Sequence, residues 1–266
     1  MTAETERKLD DFFRCFTEAV KPLLLLDYDG TLAPFRIDRY KARPWSGVRE
    51  LLTRIQHRGI TRIAVITGRP AAEIPPLLGI EPAPEVWGLH GAERLYADGF
   101  CELVPAPAET QARLGELHAH LRHDALGGLF EEKANAAVVH WRGVPAKKAK
   151  EIEKRTRELF GPLAREYGLK LLEFEAGLEL RAGPEKGDAV KTLLEEANSS
   201  RPQPAAYLGD DLTDEAAFQA IKGHGLGILV RREPRKTAAD LWLQPPAELR
   251  AFLTRWLAAC SALPAD

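Results

Sequence analysis

Four leucines in a row, Leu23 to Leu26, run straight into Asp27. An apolar run this short and unbroken, with no alternation, is a strand buried on both faces, and both faces are covered when crossover helices lie on them. The pattern recurs. Ile60 to Ile66 runs into Thr67-Gly68-Arg69, and Ala205 to Leu208 into Gly209-Asp210-Asp211. Between the first two strands, Val48, Leu51, Leu52 and Ile55 mark a helical stripe over Trp45 to His57, stopped by Gly59. A weaker helix follows over Ala71 to Leu78. This alternation predicts an α/β fold with a doubly wound, Rossmann-like parallel sheet.

The rhythm then breaks. Val86 to Leu89 reads as a strand, and Arg94 to Tyr96 with Phe100 to Val104 as a hairpin turning at Asp98-Gly99. Pro105 and Pro107 mark a boundary. Beyond it lie a helix (Glu109 to His123), strands near Phe130 and over Ala136 to Trp141, a charged helix (Pro145 to Tyr167), and strands over Leu169 to Phe174 and Leu178 to Arg181. After Gly183-Pro184 the first rhythm resumes. It gives a helix from Lys186 to Ala197, the Ala205 strand, a helix from Asp214 to Ile221, a strand from Leu226 to Val230 and a closing helix from Pro246 to Cys260. The expectation is a core of residues 1–104 and 183–266 interrupted by an inserted α/β cap, residues 105–182. Thr5 to Ala19 reads as a helix packed on that core.

Composition closes off several classes. The net charge of -2 over 266 residues gives no basic footprint for nucleic acid. The longest apolar run near the N-terminus is Leu23 to Leu26, far too short for a bilayer. Cys15, Cys101 and Cys260 are scattered, which points to a reducing compartment, the cytoplasm. A monomer is the expected state.

Asp27, Asp29, Thr31, Thr67, Lys186, Asp210 and Asp211 fall where buried strands end or beside that edge, and in open α/β sheets ligands bind there. Each alone has a plainer account: Asp-Gly turns are common, Thr67 suits a helix cap, and Lys186 a solvated helix. Together they gather like charges that a divalent, oxygen-seeking cation, most simply Mg²⁺, would reconcile. Such an edge suits phosphoryl transfer. Asp27 is the candidate nucleophile and Asp29 the acid and base. Asp27, Asp210 and the Asp29 backbone carbonyl are the candidate metal ligands. Thr67 and Lys186 would meet the phosphoryl oxygens. Asp211 is expected to orient Lys186 or the metal's waters; Asp214 is placed with it behind the ligands and, with Glu215, is expected to complement a helix dipole. In the cap, Glu131 and Lys133 share a face by strand parity, as do His140 and Arg142. That face is either solvated or a sugar site.

DYDGT (Asp27 to Thr31), ITGR (Ile66 to Arg69), Lys186 and GDDLTDEAAF (Gly209 to Phe218) together resemble the ordered motif set of the haloacid dehalogenase superfamily of phosphohydrolases. The resemblance implies Mg²⁺-dependent hydrolysis through an aspartyl-phosphate, with the core roles above, and a cap of that superfamily's large second type. GLHGAE (Gly88 to Glu93), FEEKANAAVVHWR (Phe130 to Arg142) and LELRAG (Leu178 to Gly183) are similar to the trehalose-6-phosphate phosphatase family. That narrower likeness implies a sugar-phosphate substrate. It implies sugar contacts from Glu131 or Glu132, Lys133, His140, Arg142 and Glu179, and adds Arg69, His90 and Glu93 as binding candidates from the core. The motifs leave open other sugar phosphates, such as glucosyl- or mannosylglycerate phosphate and sucrose phosphate. A phospho-accepting signalling module would not need Asp29. No P-loop or GxSxG motif is present.

Overall fold

The structure, a computed structural model, describes residues 3–18, 21–103, 108–133, 135–197 and 203–261. In chain order, α1 (Ala3–Arg14), β1 (Leu23–Leu26), α2 (Val48–His57), β2 (Arg62–Ile66), α3 (Ile74–Leu78), β3 (Glu85–Gly88), β4 (Glu93–Leu95) and β5 (Cys101–Leu103) come first. Then come α4 (Ala108–His123), β6 (Phe130–Lys133), β7 (Ala136–His140), α5 (Ala146–Glu166), β8 (Lys170–Phe174) and β9 (Gly177–Arg181). The chain closes with α6 (Lys186–Glu196), β10 (Ala205–Gly209), α7 (Glu215–Ile221), β11 (Gly225–Val230), β12 (Leu241–Leu243) and α8 (Ala247–Ser261).

Two compact units result. One holds Met1–Leu103, Pro184–Asp210 and Asp214–Asp266; the other holds Val104–Gly183 and Asp211–Thr213. Ala19, Val104, Pro105 and Pro107, used above to bound elements, lie outside the described residues.

The first unit is built on an eight-stranded sheet of order β12-β11-β10-β1-β2-β3-β4-β5. The strands from β12 to β3 are parallel, and β4 and β5 turn back antiparallel. The leucine run explains itself here, because alternate side chains of a strand leave opposite faces. Leu24 and Leu26 enter a core with Leu52, Ile55, Phe252 and Trp256, which come from α2 and α8. Leu23 and Leu25 enter the other core, with Val190 and Leu193 of α6 and Phe218 and Ile221 of α7. Helices on both faces make the sheet doubly wound. After β1 the chain builds outward on one side through β2 and β3, and later on the other through β10, β11 and β12. The switch point therefore falls between β1 and β10, the place where such sheets open a crevice.

β12 has no counterpart in the sequence reading. Leu241-Trp242-Leu243 is too short to show a period, and it is a strand because it pairs with Ile228 to Val230. The weak helix after β2 begins as a 3-10 turn, Ala71–Glu73.

The second unit is a four-stranded antiparallel sheet of order β6-β7-β9-β8. Leu114, Leu117 and Leu121 of α4 and Ile152 and Phe160 of α5 pack on the face carrying Ala137, Val139, Leu178 and Leu180.

Candidate active site

Asp27 and Asp210 sit just past the carboxyl ends of β1 and β10, the two strands that flank the switch point. The Asp27 amide donates to the Leu208 carbonyl at 2.8 Å, which holds the two ends together. Gly30 turns with φ +87, and a Cβ there would lie 2.0 Å from Asp210 Oδ2, so only glycine lets the Asp210 carboxylate close on this loop.

Lys186 arrives from α6. Glu185 N-caps that helix in a capping box with Asp188, which fixes Lys186 at the first helical position. Its Nζ donates to Asp27 Oδ1 at 2.6 Å and to Asp214 Oδ1 at 2.7 Å. All three side chains are buried. Burial works against the ammonium, but Asp214 and Asp27 outweigh it and hold the Lys186 pKa above the ordinary lysine value. Burial likewise pushes the Asp27 carboxyl up to about 7, with Lys186 opposing and Asp214 reinforcing the rise.

Asp214 does more than complement a helix dipole. It makes no side-chain cap on α7. Its Oδ1 accepts from Lys186 and from the Tyr207 hydroxyl at 2.5 Å, and its Oδ2 from the Asp210 amide at 2.8 Å. It does for Lys186 what was expected of Asp211, whose Oδ1 accepts from the amide of its neighbour Leu212 at 2.7 Å. Glu215 is also more than a dipole complement: it accepts from Arg235, from the Thr237 hydroxyl and from the Ala238 amide.

Ligand oxygens of Asp27, Asp210 and Asp214 lie within 4.8 Å of one another. With both Asp214 oxygens engaged as acceptors, Asp27 and Asp210 are the better placed ligands. Asp27 Oδ2 is buried and without a hydrogen-bond partner, which a cation or an incoming phosphorus would answer. A carboxylate cluster with one open oxygen fits a hard divalent cation, whose charge would also bring the Asp27 pKa back down.

Asp29 is gripped by Arg69. Nε to Oδ2 and Nη2 to Oδ1 are both 2.6 Å, a bidentate fork. Arg69, expected to bind substrate, thus holds the acid–base candidate, and it also donates to the Arg39 carbonyl at 2.8 Å. The Thr67 hydroxyl accepts from the Arg69 amide at 3.2 Å, a local turn bond ahead of the 3-10 turn that Pro70 caps and not a helix cap, and it keeps its own proton to donate. His90 packs against Gly68, where a Cβ would lie 2.7 Å from its Nε2. Its left-handed φ of 60 is held by its amide's bond to the Thr67 carbonyl at 2.8 Å. Glu93, expected as a binding group, accepts from the Ala71 amide at 2.7 Å through Oε2.

In the second unit, Glu131, Lys133, His140 and Glu179 share the sheet face opposite α4 and α5, as parity required. His140 Nε2 lies 2.8 Å from Glu131, and Lys133 donates to Glu179 at 3.2 Å. Arg181 belongs to this face too and is fully buried. The signal was available, because Arg181 has the parity of Glu179. Arg142 departs from the expectation. β7 ends at His140, so Arg142 stands exposed in the following turn and strand parity does not govern it. Glu132 points to the helix side, with Arg122 as partner at 3.0 Å.

A carboxylate pair at the switch point of a doubly wound sheet, with a buried lysine and an inserted α/β unit, is the arrangement of haloacid-dehalogenase-fold proteins. A phosphatase of that superfamily from Bacteroides thetaiotaomicron shares the fold at TM-score 0.62 and 18% identity, covering 89% of this chain and 95% of that one. The C-terminal domain of Candida albicans trehalose-6-phosphate phosphatase superposes at TM-score 0.77 with 23% identity, over 95% of this chain and 96% of that one.

The trehalose-phosphatase family model matches residues 25–246, and the chain belongs to that family. Trehalose-phosphate phosphatases of Mycobacterium marinum and Mycobacterium avium are 29% and 30% identical to it, over 91% and 88% of this chain. The chain spans 63% and 61% of those relatives' lengths. Among the described residues no helix is long and apolar enough to cross a membrane.

Proposed function

We propose that the protein is a Mg²⁺-dependent phosphatase acting on trehalose 6-phosphate through an aspartyl-phosphate on Asp27. The observation that carries this reading is the state of Asp27: one buried oxygen held by Lys186, the other without a partner. The open oxygen attacks phosphorus, the Asp27–phosphorus bond forms, and the bond from phosphorus to the sugar oxygen breaks. Asp29 gives its proton to that leaving oxygen. It then takes a proton from the water that attacks the phosphoryl group, which releases phosphate and restores Asp27. Lys186 and the Thr67 hydroxyl meet the phosphoryl oxygens. Asp27, Asp210 and the Asp29 backbone carbonyl would hold Mg²⁺, which supplies charge neutralisation between an anionic nucleophile and an anionic phosphate.

The second unit's charged face supplies the sugar-binding candidates Glu131, Lys133, His140 and Glu179, to which the exposed Arg142 of the same unit is added; His90 is a separate binding candidate of the core. The cytoplasm is the compartment this reading assigns, on the strength of three free cysteines.

The test is phosphate release with Mg²⁺ from trehalose 6-phosphate beside sucrose 6-phosphate, glucose 6-phosphate and glucosylglycerate phosphate. Strong preference for the first is expected. Preference for another member keeps the chemistry and discards the substrate. Silence on all of them, together with an Asp29→Asn protein whose Asp27 still accepts phosphate, would replace the hydrolase with a phospho-accepting module.

A further inference from the structure

The segment between β11 and β12, residues 231–240, has no part in the chemistry above, yet two of its arginines converge on the backbone of Asp210. Arg231 Nη1 donates to the Asp210 carbonyl at 3.3 Å and Arg235 Nε donates to the same oxygen at 3.4 Å. Both arginines are anchored. The Arg231 amide donates to the Leu243 carbonyl at 3.1 Å, and its own carbonyl accepts from Trp242 Nε1 at 2.8 Å. Arg235 is paired to Glu215, which also accepts from the Thr237 hydroxyl and the Ala238 amide, each at 2.7 Å. The segment is thereby fastened to α7 on one side and β12 on the other.

The consequence falls on Asp210. Its amide is held by Asp214 at 2.8 Å and its carbonyl by the two guanidiniums, so its peptide groups are fixed at both ends. Its carboxylate is thus delivered against Gly30, beside Asp27. We propose that Arg231 and Arg235 are positioning residues for the divalent cation, acting on Asp210 through its backbone carbonyl. The proposal rests on the reading of Asp27 and Asp210 as metal ligands. It also makes an opposed prediction of sign. Two cations acting through their charge alone would repel a metal, and removing them would tighten its binding. Acting through position, their removal loosens it.

The experiment is calorimetric titration of Mg²⁺ into the full chain and into Arg231→Gln, Arg235→Gln, Arg231→Lys and Glu215→Gln, with metal-free melting curves beside it. Loss of outer-shell support typically weakens a metal site 10- to 100-fold. Each Gln variant at an arginine is therefore expected to bind Mg²⁺ at least about 10-fold more weakly. Arg231→Lys should recover part of the loss, and Glu215→Gln, which keeps both arginines but unfastens Arg235, should fall between. Metal-free melting temperatures should stay close to that of the parent. Unchanged or tighter binding in folded variants overturns the positioning role alone. A parent chain that binds no Mg²⁺ overturns the metal-site reading, and this proposal with it.

Discussion

The two ends of the parallel sheet use similar charges to opposite effect. Near the amino ends of β2 and β3, Arg62 and Arg94 meet Glu85 and Glu196, with contacts of 2.6 to 2.8 Å. Two cations face two anions, and all four carboxylate oxygens accept a hydrogen bond. At the carboxyl ends, Lys186 holds Asp27 and Asp214, Asp210 brings a third carboxylate oxygen to the same cluster, and Asp27 Oδ2 is left without a partner. The first group is complete in itself and ties α6 to the sheet. The second leaves a buried carboxylate oxygen open. An unfinished ionic cluster in a buried place marks function more surely than a large one.

The widest separation between the two ends should come from Asp27→Asn. It keeps the shape and removes the proposed nucleophile, so phosphate release is expected to fall on the order of 10⁴-fold or more, with the melting curve little changed. Retained hydrolysis in the folded variant would remove Asp27 from the chemistry. Lys186→Met is next. It leaves Asp27 and Asp214 buried without their cation and should cost about 3–5 kcal/mol in urea melts as well as activity. A loss near zero would mean that the buried pair is not what joins α6 to β1. Gly30→Ala then probes the close approach of Asp210. The left-handed backbone and the displaced carboxylate should cost roughly 1–3 kcal/mol and weaken Mg²⁺ binding; unaltered binding would mean that Asp210 is not a ligand.

The smallest effect belongs to the other end. Glu196→Gln should cost about 1 kcal/mol or less, and less still in high salt. Arg94, hydrogen-bonded to Glu196, holds its carboxyl below the usual range, with Arg62 adding to the effect. Its contribution is therefore full above about pH 4, the unfolded value, and is lost as pH falls through the depressed folded value. Glu196→Gln should flatten the acid limb of the stability profile there. A steep limb that survives the substitution would assign acid sensitivity to other carboxylates.

What the sequence disclosed and what it withheld divide along one line. Asp27, Thr67 and Asp210 were legible because each follows a buried strand, and strand ends are a local signal. Lys186 was legible as a cation beside that edge. The partner of Lys186 was not legible, because GDDLTDE offers four neighbouring acids, and only the fold decides that Asp214 reaches 28 residues back to Lys186. The internal partners of Glu93 and Arg69 were not legible, because a polar residue near such an edge carries no mark of which protein group it meets. Arg231 and Arg235 were invisible for the same reason as β12, since their roles exist only through pairings between β10, β11 and the chain beyond. In the second unit the period of two placed Glu131, Lys133 and His140 correctly on one face, and it failed at Arg142 because the strand had already ended.

The central claim is that Asp27 carries the phosphoryl group. Turnover of trehalose 6-phosphate with Mg²⁺, quenched in acid, reduced with borohydride and digested for mass spectrometry, tests it directly. An acyl phosphate at Asp27 is reduced to homoserine, so the account predicts homoserine at position 27 only when substrate is present. An active enzyme whose Asp27 is recovered unaltered would contradict it.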